Sequence, residues 1–289
     1  MVGFKNYNNK FKAYLYVLPL GILLISFYVV PIIMSMYFSF TKYNIMAPAS
    51  FIGLKNYEMI LKDKTLKTAI WNTLKFAIFV VPIQTILSLV IANWVTSWKE
   101  NKAAKFVKAV IFIPVISSMV LIGIVWRILL NGETSLINQI IGLVGIPAQN
   151  FLGNKNLALP TLMAIYIWKN TGYFVVIYIS ALMDIPKTYY EASQVDGASR
   201  LEQFKKITLP ILKPTTVMVV FLGIIWSLQV FDLVYTLTGG GPGMATMTVV
   251  MHAYNLNFKQ FNSGYAMAVA NVLFFIIALL SIIQKKLIK

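Results

Sequence analysis

Apolar residues in this chain run in long blocks broken by short polar stretches, with no period-2 alternation. A helix crossing a bilayer needs about 20 mainly apolar residues. Six segments meet that length, at about 13–40, 76–98, 106–130, 159–183, 214–237 and 264–284. Pro19 and Pro31 interrupt the first, which predicts a tilt or kink there. The first block is too long for a cleaved signal core and reads as a retained span. Lys75 and Lys99 bound the second, and Lys285 and Lys286 close the sixth. The fifth opens at Pro214, a favourable first-turn proline. The pattern predicts an all-α polytopic membrane protein with six transmembrane helices, forming one transmembrane domain over residues 1–289.

Composition supports this reading and removes several others. The chain is 58% hydrophobic and 12% charged, half the roughly 25% of soluble domains. It has no cysteine, one histidine (His252) and nine acids. Disulfides, thiolate chemistry and histidine-rich metal centres are therefore excluded, and no metal site is expected. The net charge of +16 is spread over lysines that flank apolar blocks, which suits anionic headgroups better than nucleic acid. With the N-terminus inside, the inner segments hold fifteen Lys and Arg against nine outside. Both termini are accordingly expected in the cytoplasm.

Between the spans, residues 51–63 predict a short amphipathic helix, and 131–158 a loop with one short helix near 135–143. The loop at 187–210 is different. It packs charged and helix-forming residues into "KTYYEASQVDGASRLEQFKKITLP". Tyr189, Ala192 and Val195 recur every third position and make an apolar stripe edged by Glu191 and Asp196. Asp196-Gly197 is a turn signal, after which Leu201, Phe204 and Ile207 share a helical face. Leu209-Pro210 then leads to the fifth span. Two short helices bent at Gly197 are expected, on the cytoplasmic side between the fourth and fifth spans.

Glu191-Ala192-Ser193, then Gly197, then Ile207-x-Leu209-Pro210 resembles the EAA loop of binding-protein-dependent ABC importer permeases. Ser193 stands where that pattern has a second alanine. The stretch "QVFDLVYTLTGGGPGMAT" at 229–246 is similar to the same region of maltose-transporter-like sugar permeases. Its glycine run lacks the Gly-Lys-Ser/Thr of a phosphate loop, so a tight turn is expected there instead. The resemblance implies half of a translocation path in a bacterial cytoplasmic membrane, and no catalytic site. It implies a heterodimer with a sister permease, two cytoplasmic ATPase subunits that hold ATP and Mg, and an extracytoplasmic solute-binding protein. This chain itself would carry no cofactor. Tyr189, Glu191, Ala192, Ser193, Asp196, Gly197, Phe204, Leu209 and Pro210 would make the coupling surface for the ATPase.

Intramembrane polar residues normally face a partner or a wet cavity. Lys169, Asn170 and Tyr173 in the fourth span are candidates for the solute path. So are Trp226, Gln229 and Asp232 in the fifth, where continuous helix puts 229 and 232 on one face, and Asn271 in the sixth. Such groups, with Trp168, supply the hydrogen bonds and aromatic platforms that sugars need; helix–helix glue and a Lys169–Asp232 ion pair are the structural alternatives. An unpaired Lys169 points to an acidic saccharide. Glycerol phosphate or an amino acid stays open as the solute. A membrane enzyme lacks its acid cluster or His/Ser pair. A secondary transporter calls for paired halves with broken helices, which the span pattern does not suggest.

Overall fold

The computed structural model describes residues 8–97, 102–132 and 134–288. Lys5, Lys99 and Lys289 of the charge count, and the expected end of the second span at 98, lie outside these residues. The chain divides into two compact units, residues 1–62 with 253–272, and residues 63–252 with 273–289.

In the first unit, α1 (Asn8–Leu24) runs through one π-helical turn, Ile25–Val29, into α2 (Val30–Ser39). The expected irregularity between Pro19 and Pro31 is thus a widened turn. The all-helical expectation needs one correction. Residues Thr41–Asn44 (β1) and Ala47–Phe51 (β2) pair antiparallel, Thr41 opposite Phe51. The Asn44 side chain accepts the Met46 N–H at 3.1 Å and turns the chain between them. The short amphipathic helix forms as α3 (Lys55–Lys62). Buried Asn56 donates to the carbonyls of Ser39 (2.8 Å) and Thr41 (2.9 Å), fastening α3 to the hairpin base.

The second unit is built on α4 (Lys64–Ser97), 34 residues and about 50 Å long. It begins twelve residues before the apolar block. Asp63 caps it, its Oδ1 accepting the Leu66 N–H at 3.0 Å, while Oδ2 meets His252 Nε2 at 2.9 Å. Next come α5 (Lys102–Ile116) and α6 (Met119–Leu130), then α7 (Leu136–Gly142) and α8 (Ala158–Met183). The short helix in the 131–158 loop is where it was expected. Buried Asn138 holds the loop, donating to Gly132 O and Gln149 O and accepting from Gln149 N, each at 2.9 Å. Asn138→Ala strands three loop groups, so a loss of about 1–3 kcal/mol is expected. Faster proteolysis of the 143–149 segment would register it; an unchanged digest would show that the loop is held otherwise.

Two spans are not the continuous helices expected. The third breaks at Ser117–Ser118, where Ser118 is extended (ψ 139°) and α5 and α6 diverge by 108°. The fifth, α12 (Lys213–Leu228), stops at Leu228, and α13 (Asp232–Leu237) starts after a three-residue break. The freed Val230 carbonyl accepts the Thr248 hydroxyl at 3.1 Å. The chain ends with α14 (Val249–Phe258) and α15 (Ser263–Ile288).

Tyr14–Ser39, Lys64–Thr96, Ala158–Met183 and Ser263–Lys286 are each long and apolar enough to cross a membrane, and the bent pairs Ala109–Ile116 with Met119–Leu130 and Arg200–Ile211 with Lys213–Leu228 make six if each is counted as one span. The chain is a multi-pass membrane protein. The core lies where α4, α8 and α12 meet, around Ala92, Phe174, Val175, Tyr178, Leu212 and Val219. Gly172 on α8 lies against the Ile111 carbonyl of α5. A side chain there would hold the two backbones apart.

Candidate functional site

The loop between α8 and α12 folds by local interactions. After Pro186, α9 (Lys187–Val195) ends in a Schellman motif. Ala198 N–H reaches Ser193 O (2.9 Å) and Gly197 N–H reaches Gln194 O (3.0 Å), with Gly197 at φ +77°. Two residues later a capping box starts α10 (Arg200–Gln203). The Ser199 hydroxyl accepts the Glu202 N–H (3.3 Å), and Glu202 Oε2 accepts the Ser199 N–H (2.9 Å). That N–H, then the Ser199 hydroxyl and Lys206, hold the Glu202 carboxyl below its ordinary value. The capping contribution is present above the usual carboxylate range and is lost as pH falls through the lowered value. A π-helical turn, Phe204–Thr208, and α11 (Leu209–Ile211) complete the loop.

The two arms are tied inside the bend. Buried Gln203 donates through Nε2 to Ser193 Oγ (2.8 Å) and Tyr190 O (3.3 Å), and Ser193 Oγ donates to Tyr190 O (2.8 Å). Tyr190 OH meets Thr208 Oγ1 at 2.9 Å. The serine that departs from the EAA letters thus has a partner an alanine would lack. Outside the bend, Tyr189, Glu191, Ala192, Val195, Asp196 and Gly197 are exposed, Val195 to 89%, and so are Leu209 and Pro210. Phe204 is half-buried. A concavity of about 310 Å³ opens between the arms, lined by Ser193, Asp196, Gly197, Gln203 and Lys206 among others. An apolar, acid-edged knuckle of this kind suits docking into a groove on a partner. Tyr190, Ser199 and Gln203 were missed from the sequence, although Ser199-x-x-Glu202 is a readable capping signal.

The polar groups of the spans separate. On α8, Lys169 is half-buried, and among the described residues no ion pair joins it to Asp232. Asn170 is buried and donates to Tyr166 O one turn back, at 3.1 Å. Tyr173 lies 4.9 Å from Trp226, centroid to centroid, and Phe174 lies 5.3 Å from the same ring. Trp168 packs edge-on against Trp126 at 5.7 Å. Gln229 and Asp232 do not share a helical face. The break after Leu228 puts Gln229 at the C-cap of α12 and Asp232 in the first turn of α13, both exposed. In the first unit, Asn271 is buried, accepting from Ser35 Oγ (3.0 Å) and donating to Ser35 O (3.2 Å). Gln84 on α4 escaped the sequence reading. It is 2% exposed, and its Oε1 has no partner among the described residues.

The 239–243 run turns tightly, with Gly239, Gly240 and Gly243 at positive φ. Beside it, Asn72 donates to the carbonyls of Met244 (2.9 Å) and Met247 (3.0 Å), fixing this turn to α4.

Residues 76–289 match the family described as binding-protein-dependent transport system inner membrane component. The arabinooligosaccharides transport permease AraP of Bacillus subtilis is 32% identical over 97% of this chain and 90% of its own. The trehalose/maltose transport permease MalF of Thermococcus litoralis is 31% identical over 91% of this chain and 89% of its own. A chain of the bacterial alginate ABC transporter, solved in complex with an alginate pentasaccharide-bound periplasmic protein, superimposes with a TM-score of 0.87. It is 21% identical over 97% of this chain and 95% of that one, so the likeness is one of fold.

Proposed function

Because this chain belongs to the binding-protein-dependent transport system inner membrane components, we propose that it is a permease subunit of an ATP-driven importer for a sugar or oligosaccharide. It crosses the bacterial cytoplasmic membrane six times, with α5 and α6 together making the third span and α12 carrying the fifth, and with both termini in the cytoplasm. It pairs with a sister permease to enclose the path, and an extracytoplasmic binding protein delivers the solute. Two cytoplasmic ATPase subunits hold ATP and Mg. This chain contributes no catalytic group.

The observation that carries the proposal is the exposed, Gly197-bent knuckle between α8 and α12 in a chain of this family. Tyr189, Glu191, Ala192, Ser193, Asp196, Gly197, Phe204, Leu209 and Pro210 form or support the surface that the ATPase grips. Docking there gives the nucleotide state a differential contact with the two pore conformations, without which no ligand shifts an equilibrium. Tyr173 and Trp226 supply the aromatic platform of the solute path. Lys169, Asn170, Gln229, Asp232 and Asn271 supply its polar groups.

Proteoliposomes holding this chain, a sister permease, the ATPase and the binding protein should accumulate labelled oligosaccharide only with ATP. Uptake without the ATPase subunits would overturn the assignment. Lys169, which has no ion pair among the described residues, favours an acidic saccharide. Lys169→Ala should cut uptake of an acidic saccharide about tenfold, the equivalent of 1.4 kcal/mol, and spare a neutral one. Equal loss for both would remove the acidic preference and leave the importer standing.

A further inference from the structure

A cavity of about 650 Å³ lies in the second unit between the N-terminal parts of α4 and α8, at the end of α8 away from the knuckle. Its rim carries Lys75, Lys155 and Asn156, and buried Asn72 also lines it. Its wall is aliphatic apart from Phe79, with Ile83 on α4 and Pro160, Ala164 and Ile167 along one stripe of α8. No carboxylate lines it. Among the described residues, neither lysine makes an ion pair. Both lysines are nevertheless placed. Lys75 Nζ sits 5.4 Å from the centre of the exposed Trp71 ring, and the stem of Lys155 lies against Gly243, where a Cβ would come within 2.9 Å of its Cε.

Two features separate this cavity from a sugar site. Below the rim it offers aliphatic surface where a saccharide needs hydrogen bonds. Lys169, the one charged group of the fourth span, follows Pro160 by nine residues, half a turn round α8 at about 100° per residue, so it points away from this cavity. A cationic rim above an apolar trough matches the chemistry of a phospholipid: phosphate at the charges, acyl chain below.

We propose that this cavity seats one anionic phospholipid, its phosphate held by Lys75 and Lys155 and an acyl chain lying along Phe79, Ile83, Ala164 and Ile167. The two lysines then supply the cations and Asn156 a hydrogen-bond donor. The apolar trough, open beside exposed Phe79 and Ala164, is filled by a chain already present in the surrounding solvent. The site is independent of which solute is carried.

Native mass spectrometry of the full chain in detergent, titrated with phosphatidylglycerol and with phosphatidylcholine of the same acyl chains, tests it. One phosphatidylglycerol should be retained in clear preference to phosphatidylcholine. The double variant Lys75→Gln/Lys155→Gln should weaken that binding about thirtyfold, near fivefold per lysine. Ala164→Trp keeps both charges and fills the trough, so it should lose the lipid as well. Lys64→Gln/Lys67→Gln, exposed on α4 but off the cavity, should bind as the parent does. Equal retention of the two lipids by the parent chain overturns the proposal whatever the variants do. So does undiminished phosphatidylglycerol binding by Ala164→Trp, which would mark a bare anion site. Displacement by millimolar inorganic phosphate or trigalacturonate would identify a free anion or an acidic solute instead. A protein segment occupying the trough in the assembled transporter would assign the face to a subunit contact.

Discussion

Replacing Gly197 with valine should cut ATP-dependent uptake about tenfold or more while leaving the amount of protein in the membrane unchanged. Gly197 sits at φ +77°, and nothing lies within 4 Å of where its Cβ would be. The substitution therefore loses no packing and meets no wall; its effect is on the backbone alone. An L-residue in this region costs about 1–2 kcal/mol, and a β-branched one is the least tolerant. Since about 1.4 kcal/mol is a factor of ten in population, the bent knuckle is disfavoured about tenfold, and α9 and α10 present one surface less often. Asparagine tolerates the left-handed region better, so Gly197→Asn should retain more uptake than Gly197→Val. Measuring uptake and permease-stimulated ATP hydrolysis in the same proteoliposomes separates the cases. Wild-type transport by the valine variant, or asparagine as damaging as valine, would sink the idea that this bend carries the coupling.

The second large effect is expected inside the bilayer. A Cβ on Gly172 would overlap the Ile111 carbonyl oxygen and a methyl of Val115. The obstacle is backbone, which cannot swing aside as a long side chain can, so α5 must move off α8. Gly172→Val is expected to destabilise the chain by at least the roughly 1–3 kcal/mol of overpacking in a dense core. Gly223→Ala is the control. Its Cβ would meet Val81 methyl groups at 3.4 and 3.5 Å, close to ordinary contact, and should be nearly neutral. Thermal unfolding in detergent, followed by loss of the monodisperse peak, compares them. Equal midpoints would mean that α5 and α8 are not held by close backbone approach.

Reading the sequence worked where the cause is local. Long apolar blocks mark membrane helices because every side chain of a span meets either lipid or another apolar helix, and both surroundings favour apolar residues. The knuckle was legible because its parts interact within a few residues: Gly197 with Gln194, Ala198 with Ser193, and Ser199 with Glu202. The same window hid the early start of α4. Its first turns mix lysine, threonine and asparagine with apolar residues, and only the Asp63 cap marks their beginning. The broken fifth span was hidden as well. Residues 229–231 include Val230 and Phe231, and nothing in them announces that Thr248 takes the carbonyl which the helix gives up.

The sequence by itself determined the number and placement of apolar blocks, the family and the bend at Gly197, since each depends on solvent, spacing or one backbone angle. Tertiary structure alone decided that Tyr173 packs against Trp226, that Gln229 and Asp232 part company, and that two distant lysines head one apolar trough. Those relations join residues many positions apart, and such neighbours are chosen by how helices pack, which no local pattern records.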